Sequence, residues 1–540
     1  MSIFESKASP SSEAFRQNHA EMSALVAKLH ELNARAPTKS ASRKERFAAR
    51  NQLLPRERLA RLLDPGAPYV EIGNIAGFLQ DSSDEAKSVA GSTIMSGLGF
   101  VAGSRCAIVT DDSGIKAGAM TVAGGYRVHR AQEIALQQKL PFIHLVESAG
   151  GDLVNYTVEH FLEGGQLFAN LARLSKEGLP VITVLHGAST AGGAYMAGLS
   201  DYVIAVKGRG KAYLAGPPLL KAATGEIATE EELGGAEMHA TVSGLAEFLA
   251  EDDGEALLIA RELIERLDWN KRLEARMQHA WREPKYDPDE ILGIVSADYR
   301  KPYDVREVVA RIVDGSDFTD FKPRYGVATV CMQAEVYGQP CAIIGNNGPI
   351  DPDGATKAAQ FMQLCDQSGT PIVFLQNTTG FLVGTEYERA GMIKHGSKMI
   401  QAVTNISVPR ITFMIGASYG AGNYGMCGRG YDPDFCFTWP NASMGVMGGE
   451  QAAQVMTIVA EAAAAKAGTE PNREQLGTQR DMLVHLFNSQ APAFVTSGRC
   501  LDDGMIDPRD TRRTLGFLLA TVDEAQRRTV TPNSFGVGRM

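Results

Sequence analysis

Two short runs of glycine and alanine are the residues of this chain whose chemistry is easiest to infer. They are Ala191, Gly192 and Gly193 in the first half, and Gly420, Ala421 and Gly422 in the second. With little or no side chain, such residues leave their backbone N–H groups open to a ligand. If a helix begins at each run, its first N–H groups and its dipole favour a developing negative charge, as in an oxyanion hole for an enolate. Close packing of a strand against a helix explains one such run equally well.

The two runs lie in matching segments of a duplicated sequence. Pro180 and Pro409 are 229 residues apart, and the Gly-Ala-Ser triplets and the tyrosines Tyr195 and Tyr424 keep that same offset. Each run follows a short, β-branched apolar segment, which is typical of a buried parallel strand. The sequence therefore predicts two copies of one strand–turn–helix unit.

The duplication extends on both sides of these segments, with small changes in offset that indicate short loop insertions. Cys106 matches Cys341 at an offset of 235, Pro141 matches Pro371 at 230, and Ala212 is aligned with Ala442. A turn is predicted at residues 103–104. Each half repeats strand, helix, strand, helix, strand, which predicts an α/β domain that binds its ligands at the carboxyl ends of its strands.

Composition limits the possible classes of function. The chain has 540 residues, a net charge of −10, 44% hydrophobic and 21% charged residues, and seven cysteines without a CxxC pair. This profile is that of a globular protein, and it argues against nucleic-acid binding, a disulfide framework or a metal site. The sequence begins without an apolar signal segment and has no 18-residue apolar window, so we expect a cytoplasmic protein that does not span a membrane.

The expected domain organisation follows from the repeat. Residues 1–40 contain an amphipathic helix with an apolar stripe at Met22, Leu25, Val26, Leu29 and Leu32. Residues 41–275 form the first domain, 276–300 a charged linker and 301–540 the second domain. A basic segment from Arg43 to Arg61 is either a solvated helix face or a contact for an anionic ligand such as a nucleotide phosphate.

Motifs along most of the chain resemble those of a known protein family. From about residue 15 to the end it resembles the carboxyltransferase (β) subunits of biotin-dependent acyl-CoA carboxylases, in the branch that acts on 3-methylcrotonyl-CoA and geranyl-CoA. The motifs include LLPRERLARLLDPGAP, STAGGAY, LAGPPLLKAATGE, LQNTTGFLVG, KHGSK, GAGNYGMCGR and MGVMGGEQAA. The resemblance implies two tandem crotonase-like domains, with CoA bound mainly by the first domain and biotin mainly by the second.

The resemblance also assigns roles to the two runs. It implies that Gly192 and Gly193 stabilise the enolate of the acyl-CoA, and that Ala421 and Gly422 stabilise the biotin anion left when carboxybiotin breaks down. That anion can take the substrate proton itself, which fits the absence of an obvious side-chain base. The other predicted substrate contacts are Lys116, Ala149, Gly150, Gly164, Ala191 and Tyr195, and the predicted biotin contacts are Thr379, Gly380, Phe381, Gly420 and Tyr424.

Three further sets of side chains have two interpretations each. His395 is a candidate general base, although its position beside Lys394 in a glycine-flanked turn favours a structural role. Lys116 and Lys357 occupy loosely corresponding positions and are candidates for contact with CoA phosphate, with surface salt bridges as the alternative. Phe381 and Leu382 either line the biotin pocket or fill core.

The family resemblance implies a partner subunit. An Ala-Met-Lys-Met biotinylation site and an ATP-grasp glycine loop are missing from the sequence. The expected partner is a biotin carboxylase and biotin carrier α subunit, which uses the ATP and bicarbonate. The family forms a β hexamer, commonly within an α6β6 assembly, and builds each active site from the first domain of one chain and the second domain of another.

The substrate expectation depends on one glycine. Methylcrotonyl-type relatives usually have a loop ending in Phe-Pro-Asp in the segment that here spans residues 150–176, and they place a bulky aromatic residue where this chain has Gly164. Losing that ring makes room for a longer apolar chain, so geranyl-CoA is the expected substrate. A glycine that only packs a helix is the competing explanation. The competing substrates are 3-methylcrotonyl-CoA and a propionyl or similar short-chain acyl-CoA, and the competing activity is that of a biotin-dependent decarboxylase subunit.

Overall fold

The chain forms two compact units, each built around one of the two repeats. The computed structural model describes residues 4–155, 157–275, 279–470 and 472–539. The first-repeat unit comprises His30–Arg276, Gly498–Cys500 and Ala520–Met540; the second-repeat unit comprises Met1–Leu29, Met277–Ser497 and Leu501–Leu519. The predicted domain limits at residues 40, 275 and 300 stay a prediction. Residues 276–278 of the predicted linker lie outside the described residues.

A mixed sheet of eight strands is the centre of the first-repeat unit, counted over the described residues. Its order is β1-β2-β3-β4-β5-β6-β8, with β7 paired to the end of β5. The first three strands pair antiparallel, and the strands from β3 onward pair parallel. The strands are β1 (Val70–Ile72), β2 (Ile94–Val101), β3 (Ser104–Asp111), β4 (Phe142–Ser148), β5 (Val181–Thr190), β6 (Tyr202–Val206), β7 (Lys211–Tyr213) and β8 (Phe248–Ala250).

The second-repeat unit contains the same arrangement in a sheet of seven strands within the described part of the chain. Its order is β14-β13-β12-β11-β10-β9, with β15 paired to the end of β13. The strands are β9 (Phe318–Asp320), β10 (Thr329–Val336), β11 (Gln339–Asn346), β12 (Ile372–Thr378), β13 (Arg410–Tyr419), β14 (Phe435–Thr438) and β15 (Ser443–Gly445).

The two sheets confirm the predicted duplication. In each sheet an antiparallel hairpin is followed by parallel strands, and the apolar runs predicted as buried parallel strands are β5 and β13. The register between the third and fourth strands of this core shifts at the same place in both sheets, between Val146 and Ser148 and between Gln376 and Thr378. A shared irregularity of this kind is typical of two copies of one fold.

Helices cover the sheets and connect the parallel strands. In chain order they are α1 (Glu13–Ala41), α2 (Lys44–Ala48), α3 (Pro55–Leu62), α4 (Val122–Gln138), α5 (Val158–Lys176), α6 (Ala194–Gly198), α7 (Pro217–Thr224), α8 (Glu230–Gly234), α9 (Ala236–Met238), α10 (Asp253–Leu267), α11 (Ile291–Ile294), α12 (Val305–Val309), α13 (Pro352–Ser368), α14 (Thr385–Arg389), α15 (Met392–Asn405), α16 (Gly420–Gly425), α17 (Gly449–Ala467), α18 (Arg473–Asn488), α19 (Ala493–Gly498) and α20 (Thr511–Arg527). The apolar stripe predicted in the first helix is present, since Met22, Val26, Leu29 and Leu32 are buried, whereas Leu25 is half-buried. No helix within the described residues is long and apolar enough to cross a membrane.

A carboxylate holds the hairpin turn of each repeat. Asp64 accepts hydrogen bonds from the N–H groups of Ala102 and Gly103 at 2.9 and 2.7 Å, and Asp314 accepts them from Tyr337 and Gly338 at 2.9 and 2.7 Å. Both residues of each turn have positive φ, as in a tight two-residue hairpin. The first turn therefore lies one residue before the predicted position at 103–104.

One part of the predicted alignment between the repeats is wrong by two residues. The sequence pairs Ala212 with Ala442, but Ala212 lies beside Ser189 of β5 and its structural counterpart beside Ser418 of β13 is Met444. The glycines that follow, Gly216 and Gly448, then coincide as the first residues before α7 and α17. The small residues of the two segments made both alignments plausible, and only strand pairing distinguishes them.

Candidate active site

The predicted glycine turn of the first repeat connects β5 to α6. Ala191–Gly193 form a single 3₁₀ turn, and α6 begins directly after it at Ala194. Ala191 has φ +53°, a left-handed conformation that is unusual for a residue with a side chain. The chain thus reverses sharply where the strand ends, and the first N–H groups of the turn and helix have no partner within that helix.

The second repeat has the same geometry between β13 and α16. Gly420 has φ +55° and occupies the place of Ala191, and α16 begins at that residue. Tyr195 and Tyr424 lie at equivalent places in the two short helices, and about half of each side chain is exposed (50% and 49%). The structure therefore contains the two matching strand–turn–helix units that the sequence predicts.

Close packing accounts for three of the four glycines in the two runs. A Cβ atom at Gly192 would lie 3.2 Å from Phe168, and one at Gly193 would lie 2.9 Å from the Ser189 Oγ. A Cβ atom at Gly422 would lie 2.8 Å from the Cα of Gly380. Packing thus explains why these residues are glycine, which was the competing interpretation. These contacts involve the Cβ positions and not the backbone N–H groups, so the donor role stays a prediction.

A glycine loop from the neighbouring strand lies against each turn. Gly150 follows β4 with φ +93°, and its Cβ position is 3.6 Å from the carbonyl oxygen of Thr190. Gly380 follows β12 with φ +120°, and its Cβ position is 3.4 Å from the carbonyl oxygen of Tyr419. The structure therefore brings Ala149 and Gly150 to the first turn. Their counterparts Thr379 and Gly380 lie against the second turn in the same way.

A polar cavity of about 590 Å³ lies on one side of the loop after β4. Ser148 and Ala149 contribute to its wall, and its cationic side chains are Arg46, Arg50, Arg209 and Lys211. Arg46 and Arg50 are exposed and make no ion pair with the described residues, whereas Lys211 is paired with Glu230 at 2.8 Å. Arg46 and Arg50 thus line the cavity and are also solvent-exposed, so contact with an anionic ligand stays a prediction.

A mainly apolar cavity of about 560 Å³ begins on the other side of the same loop. Met120 and Gly151 line it at the loop, and it continues between α4 and α5, where Gly164 forms part of the wall. A Cβ atom at Gly164 would meet nothing within 4 Å. Phe168, one turn further along α5, contacts the Gly192 turn, so the cavity lies close to the candidate oxyanion hole.

A carboxylate that was not singled out from the sequence lies beside the first turn. Glu147 is the residue before Ser148, lines the polar cavity, and lies so close to Gly187 that a Cβ there would be 2.4 Å from its Cγ. Its carboxylate pairs with the buried Arg58 at 2.5 Å. The available signal was the repeat alignment, in which the second repeat has the uncharged Asn377 at this position.

A buried histidine extends this charged cluster. His186 Nδ1 lies 2.8 Å from Asp253 Oδ1, and Arg58 Nε lies 3.5 Å from the other oxygen of Asp253. Burial, together with the charge of Arg58, lowers the pKa of His186 to about 4, so the ring is neutral at pH 7. The cluster of Arg58, Glu147, His186 and Asp253 therefore supports the ends of β4 and β5.

Each of the two candidate lysines has a partner within the protein. Lys116 Nζ is 3.6 Å from Asp152 at the apolar side of the loop, so the predicted alternative of a salt bridge is present and its substrate contact stays a prediction. Lys357 was wrongly aligned with it: Lys357 is fully buried in α13, donates to the Tyr325 carbonyl at 3.0 Å, and corresponds to the buried Arg127 of α4. Burial lowers the pKa of Lys357.

In the second repeat, His395 and Phe381 both contact neighbouring protein groups. The His395 Nδ1 lies 2.8 Å from the Thr356 hydroxyl, and burial with the nearby charges of Lys394 and Lys398 lowers the pKa of the ring. Phe381 packs against Gly425 and the hydrophobic core, which agrees with its core-filling interpretation. Val383 and Ile393 nearby are largely exposed. Within the described residues, no three His, Cys, Asp or Glu side chains are arranged to hold a metal ion.

Fold and site together define a class of protein, that of tandem crotonase-like enzymes with one backbone-lined turn in each domain. Comparison with known proteins identifies the family. The family described as "Carboxyl transferase domain" matches residues 46–537. The chain belongs to this family, and it is a biotin-dependent carboxyltransferase that uses CoA thioesters.

Three relatives illustrate the match. The crystal structure of the P. aeruginosa geranyl-CoA carboxylase beta subunit is 50% identical, with a TM-score of 0.92 and full coverage (100%) of both chains. The biotin-dependent 3-methylcrotonyl-coenzyme A carboxylase beta1 subunit of Mycobacterium tuberculosis is 42% identical over 530 residues, 96% of this chain and 97% of that protein. The mitochondrial methylcrotonoyl-CoA carboxylase beta chain of Dictyostelium discoideum is 42% identical over 499 residues, 91% and 83% respectively.

Proposed function

We propose that this chain is the β subunit of a geranyl-CoA carboxylase, which carboxylates the γ-carbon of a branched α,β-unsaturated acyl-CoA. The observation that carries the proposal is the apolar cavity opened by Gly164. Its volume of about 560 Å³ lies within the usual range for a small-molecule site. The 50% identity to a geranyl-CoA carboxylase beta subunit supports the same substrate.

A second substrate has independent support. The relatives from M. tuberculosis and D. discoideum are named as methylcrotonyl-type carboxylase subunits and are each 42% identical to this chain. Their similarity makes 3-methylcrotonyl-CoA the alternative substrate. The two thioesters differ mainly in the length of the apolar chain, so the cavity between α4 and α5 is where they are distinguished.

The two cavities suggest how the thioester lies across the loop after β4. Its nucleotide and phosphates occupy the polar cavity, where Arg46 and Arg50 supply positive charge, and its acyl chain enters the apolar cavity. The thioester carbonyl is then at the loop, beside the N–H groups of Gly192 and Gly193. Donors aimed at that oxygen stabilise an enolate, which conjugation extends to the γ-carbon of an unsaturated acyl group.

The second turn is suited to bind the biotin group that donates the carboxyl group. Carboxybiotin carried by the partner supplies the carboxyl group when it is bound. The surface around Gly420–Gly422 and Gly380 is bare backbone in a left-handed turn, and Tyr424 stands half-exposed beside it. The N–H groups of Ala421 and Gly422 are the donors that would hold a negatively charged ureido oxygen.

The assembly forms part of the same proposal. The chain works with a biotin-carrying α subunit that consumes ATP and bicarbonate, as a homohexamer within an α6β6 complex. We expect the purified chain with ATP and bicarbonate to be inert, and the reconstituted pair to carboxylate acyl-CoA. Carboxylation by the chain alone would contradict the assignment.

The substrate is tested by filling the apolar cavity. Gly164→Phe places a ring where nothing lies within 4 Å of the Cβ position, so we expect kcat/KM for geranyl-CoA to fall by roughly 50-fold or more, at about four-fold per methylene excluded. The value for 3-methylcrotonyl-CoA should change by less than about five-fold. Gly165→Phe is the matched control, because Gly165 is exposed and does not line the cavity. Equal losses on both thioesters would show that Gly164 supports the fold rather than sizing the pocket.

A further inference from the structure

Two consecutive glycines in α4 have different surroundings. A Cβ atom at Gly124 would lie 2.9 Å from Ile94, so this glycine is needed for packing. A Cβ atom at Gly125 would meet nothing within 4 Å. Glycine inside a helix weakens that helix relative to alanine, and at Gly125 no packing contact offsets this cost.

The second repeat shows that this position tolerates a side chain in the fold. The helix α13 corresponds to α4, and Gly354 matches Gly124, since a Cβ there would lie 2.4 Å from the Thr329 hydroxyl. The next residue, Ala355, matches Gly125, and its methyl group is fully buried in the core. The first repeat therefore lacks a side chain at a place where the same fold holds one.

Gly125 faces the apolar cavity. It lines the same space between α4 and α5 as Gly164, which also has nothing within 4 Å of its Cβ position. The two helices thus each contribute one glycine to the wall. An apolar chain that enters between them gains room from both sides.

We infer that Gly125 is a second determinant of acyl-chain size, which acts with Gly164 to set the width of the cavity. This inference rests on the proposed function, because it assumes that the acyl group of the CoA thioester occupies the space between α4 and α5. Gly164 leaves out a side chain only on the α5 side of the cavity, whereas a long branched acyl chain needs space beside both helices. A side chain at Gly125 is therefore expected to exclude long acyl groups even when Gly164 is intact.

The test measures kcat/KM of the reconstituted carboxylase with geranyl-CoA and with 3-methylcrotonyl-CoA. Each methylene excluded changes selectivity about four-fold, so Gly125→Leu should lower the geranyl-CoA value at least about 50-fold and the other value by less than about five-fold. Gly125→Ala should give a smaller shift in the same direction, about four-fold, with a higher Tm because alanine favours the helix. Gly165→Leu, on an exposed face of α5, is the matched control and should leave the ratio unchanged.

The outcomes separate the inference from the proposed function. If the wild-type complex carboxylates neither thioester, the proposed function is wrong. If the wild type carboxylates geranyl-CoA but Gly125→Leu lowers both values equally, or neither, Gly125 does not size the pocket and only this inference is overturned. Gly125→Ala keeps the test valid if the leucine variant does not fold, since it adds one methyl group at a position that holds alanine in the second repeat.

Discussion

Single residues at the two turns combine a packing role with a proposed chemical role. At Gly193 and Gly422 a side chain would collide with Ser189 and Gly380 respectively. Glycine at these positions lets the first turn pack on its own strand β5 and the second turn pack on the loop after β12. A residue can therefore be glycine for packing and still place a donor for the reaction.

The donor role predicts the effect of adding side chains at the turns. Gly193→Val and Gly422→Val should each lower kcat of the reconstituted complex by roughly 100- to 1,000-fold, because the turn must shift and its donors move with it. Gly198→Val and Gly430→Val are the matched controls, since nothing lies within 4 Å of either Cβ position. Activity of the turn variants within a few-fold of wild type would place the donors elsewhere.

The buried His186 predicts a pH dependence of stability. Burial and Arg58 lower its folded-state pKa to about 4, below the ordinary 6.5, so the unfolded chain binds more protons between these values. The free energy of unfolding should therefore fall as pH drops from 6.5 to 4, by up to about 3 kcal/mol from this group. His186→Asn should reduce that fall in chemical denaturation at pH 5, 6 and 7. His129, whose side chain is 27% exposed, is changed to asparagine as the control. An identical pH slope in both variants would contradict the assignment.

Both repeats stabilise their hairpin turn with an aspartate that pairs with an arginine, but the two ion pairs differ in burial. Asp64 and Asp314 each hold a hairpin turn and each pair with an arginine at 2.8 Å, Arg261 and Arg512 respectively. The pair in the second repeat is nearly buried, at 8% and 5% exposure, whereas the pair in the first is about a fifth to a quarter exposed, at 19% and 27%. Removing a charge from a buried pair costs more than removing it near the surface, because the partner is left without solvent.

This difference predicts unequal losses of stability. Asp314→Asn should destabilise its unit by about 3 kcal/mol, and Asp64→Asn should destabilise its own by about 1 kcal/mol. Hydrogen–deuterium exchange is the suitable measurement, because it resolves the hairpin β10–β11 from β2–β3. Each substitution should accelerate exchange mainly in its own hairpin. A larger effect for Asp64→Asn would show that solvent does not shield that pair.

The molecule as a whole contains one candidate turn in each repeat, and the two turns differ in what surrounds them. The loop after β4, which packs against the first turn, contributes to the walls of a polar and an apolar cavity, and a charged cluster lies at the ends of β4 and β5. The second turn lies beside the largely exposed Val383 and Val446. This division fits an enzyme in which one domain binds the acyl-CoA and the other receives the biotin.

If each active site combines the first domain of one copy with the second domain of another, two inactive variants should complement each other. Co-expressed Gly193→Val and Gly422→Val chains would form mixed assemblies in which some sites have both turns intact. We expect about a quarter of wild-type activity from random pairing, measured after reconstitution with the α subunit. The separately purified variants, each reconstituted alone, are the control. No recovery from a mixed assembly, verified by differently tagged chains, would place both turns of a site in one copy.

Local sequence pattern was sufficient to predict the strands and turns that carry the candidate site. The β-branched runs before residues 191 and 420, their common offset, and the small residues after them predicted two buried parallel strands that end in sharp turns. Strand and turn preferences act over a few neighbouring residues, so they can be read along the chain. The motifs around these turns also indicated the family that the comparisons confirm.

Contacts between residues that are far apart in the sequence, in contrast, are determined only by the tertiary structure. Four findings depend on the path of the chain: the pairing of Arg58 with Glu147, the burial of Lys357, the correspondence of Ala212 with Met444 rather than Ala442, and the placing of Gly125 and Gly164 along one cavity. A charge run or a glycine pair has the same local pattern whether it faces solvent, core or cavity. Burial and partners are properties of the packed chain, and for that reason only the tertiary structure shows the two cavities at the loop after β4.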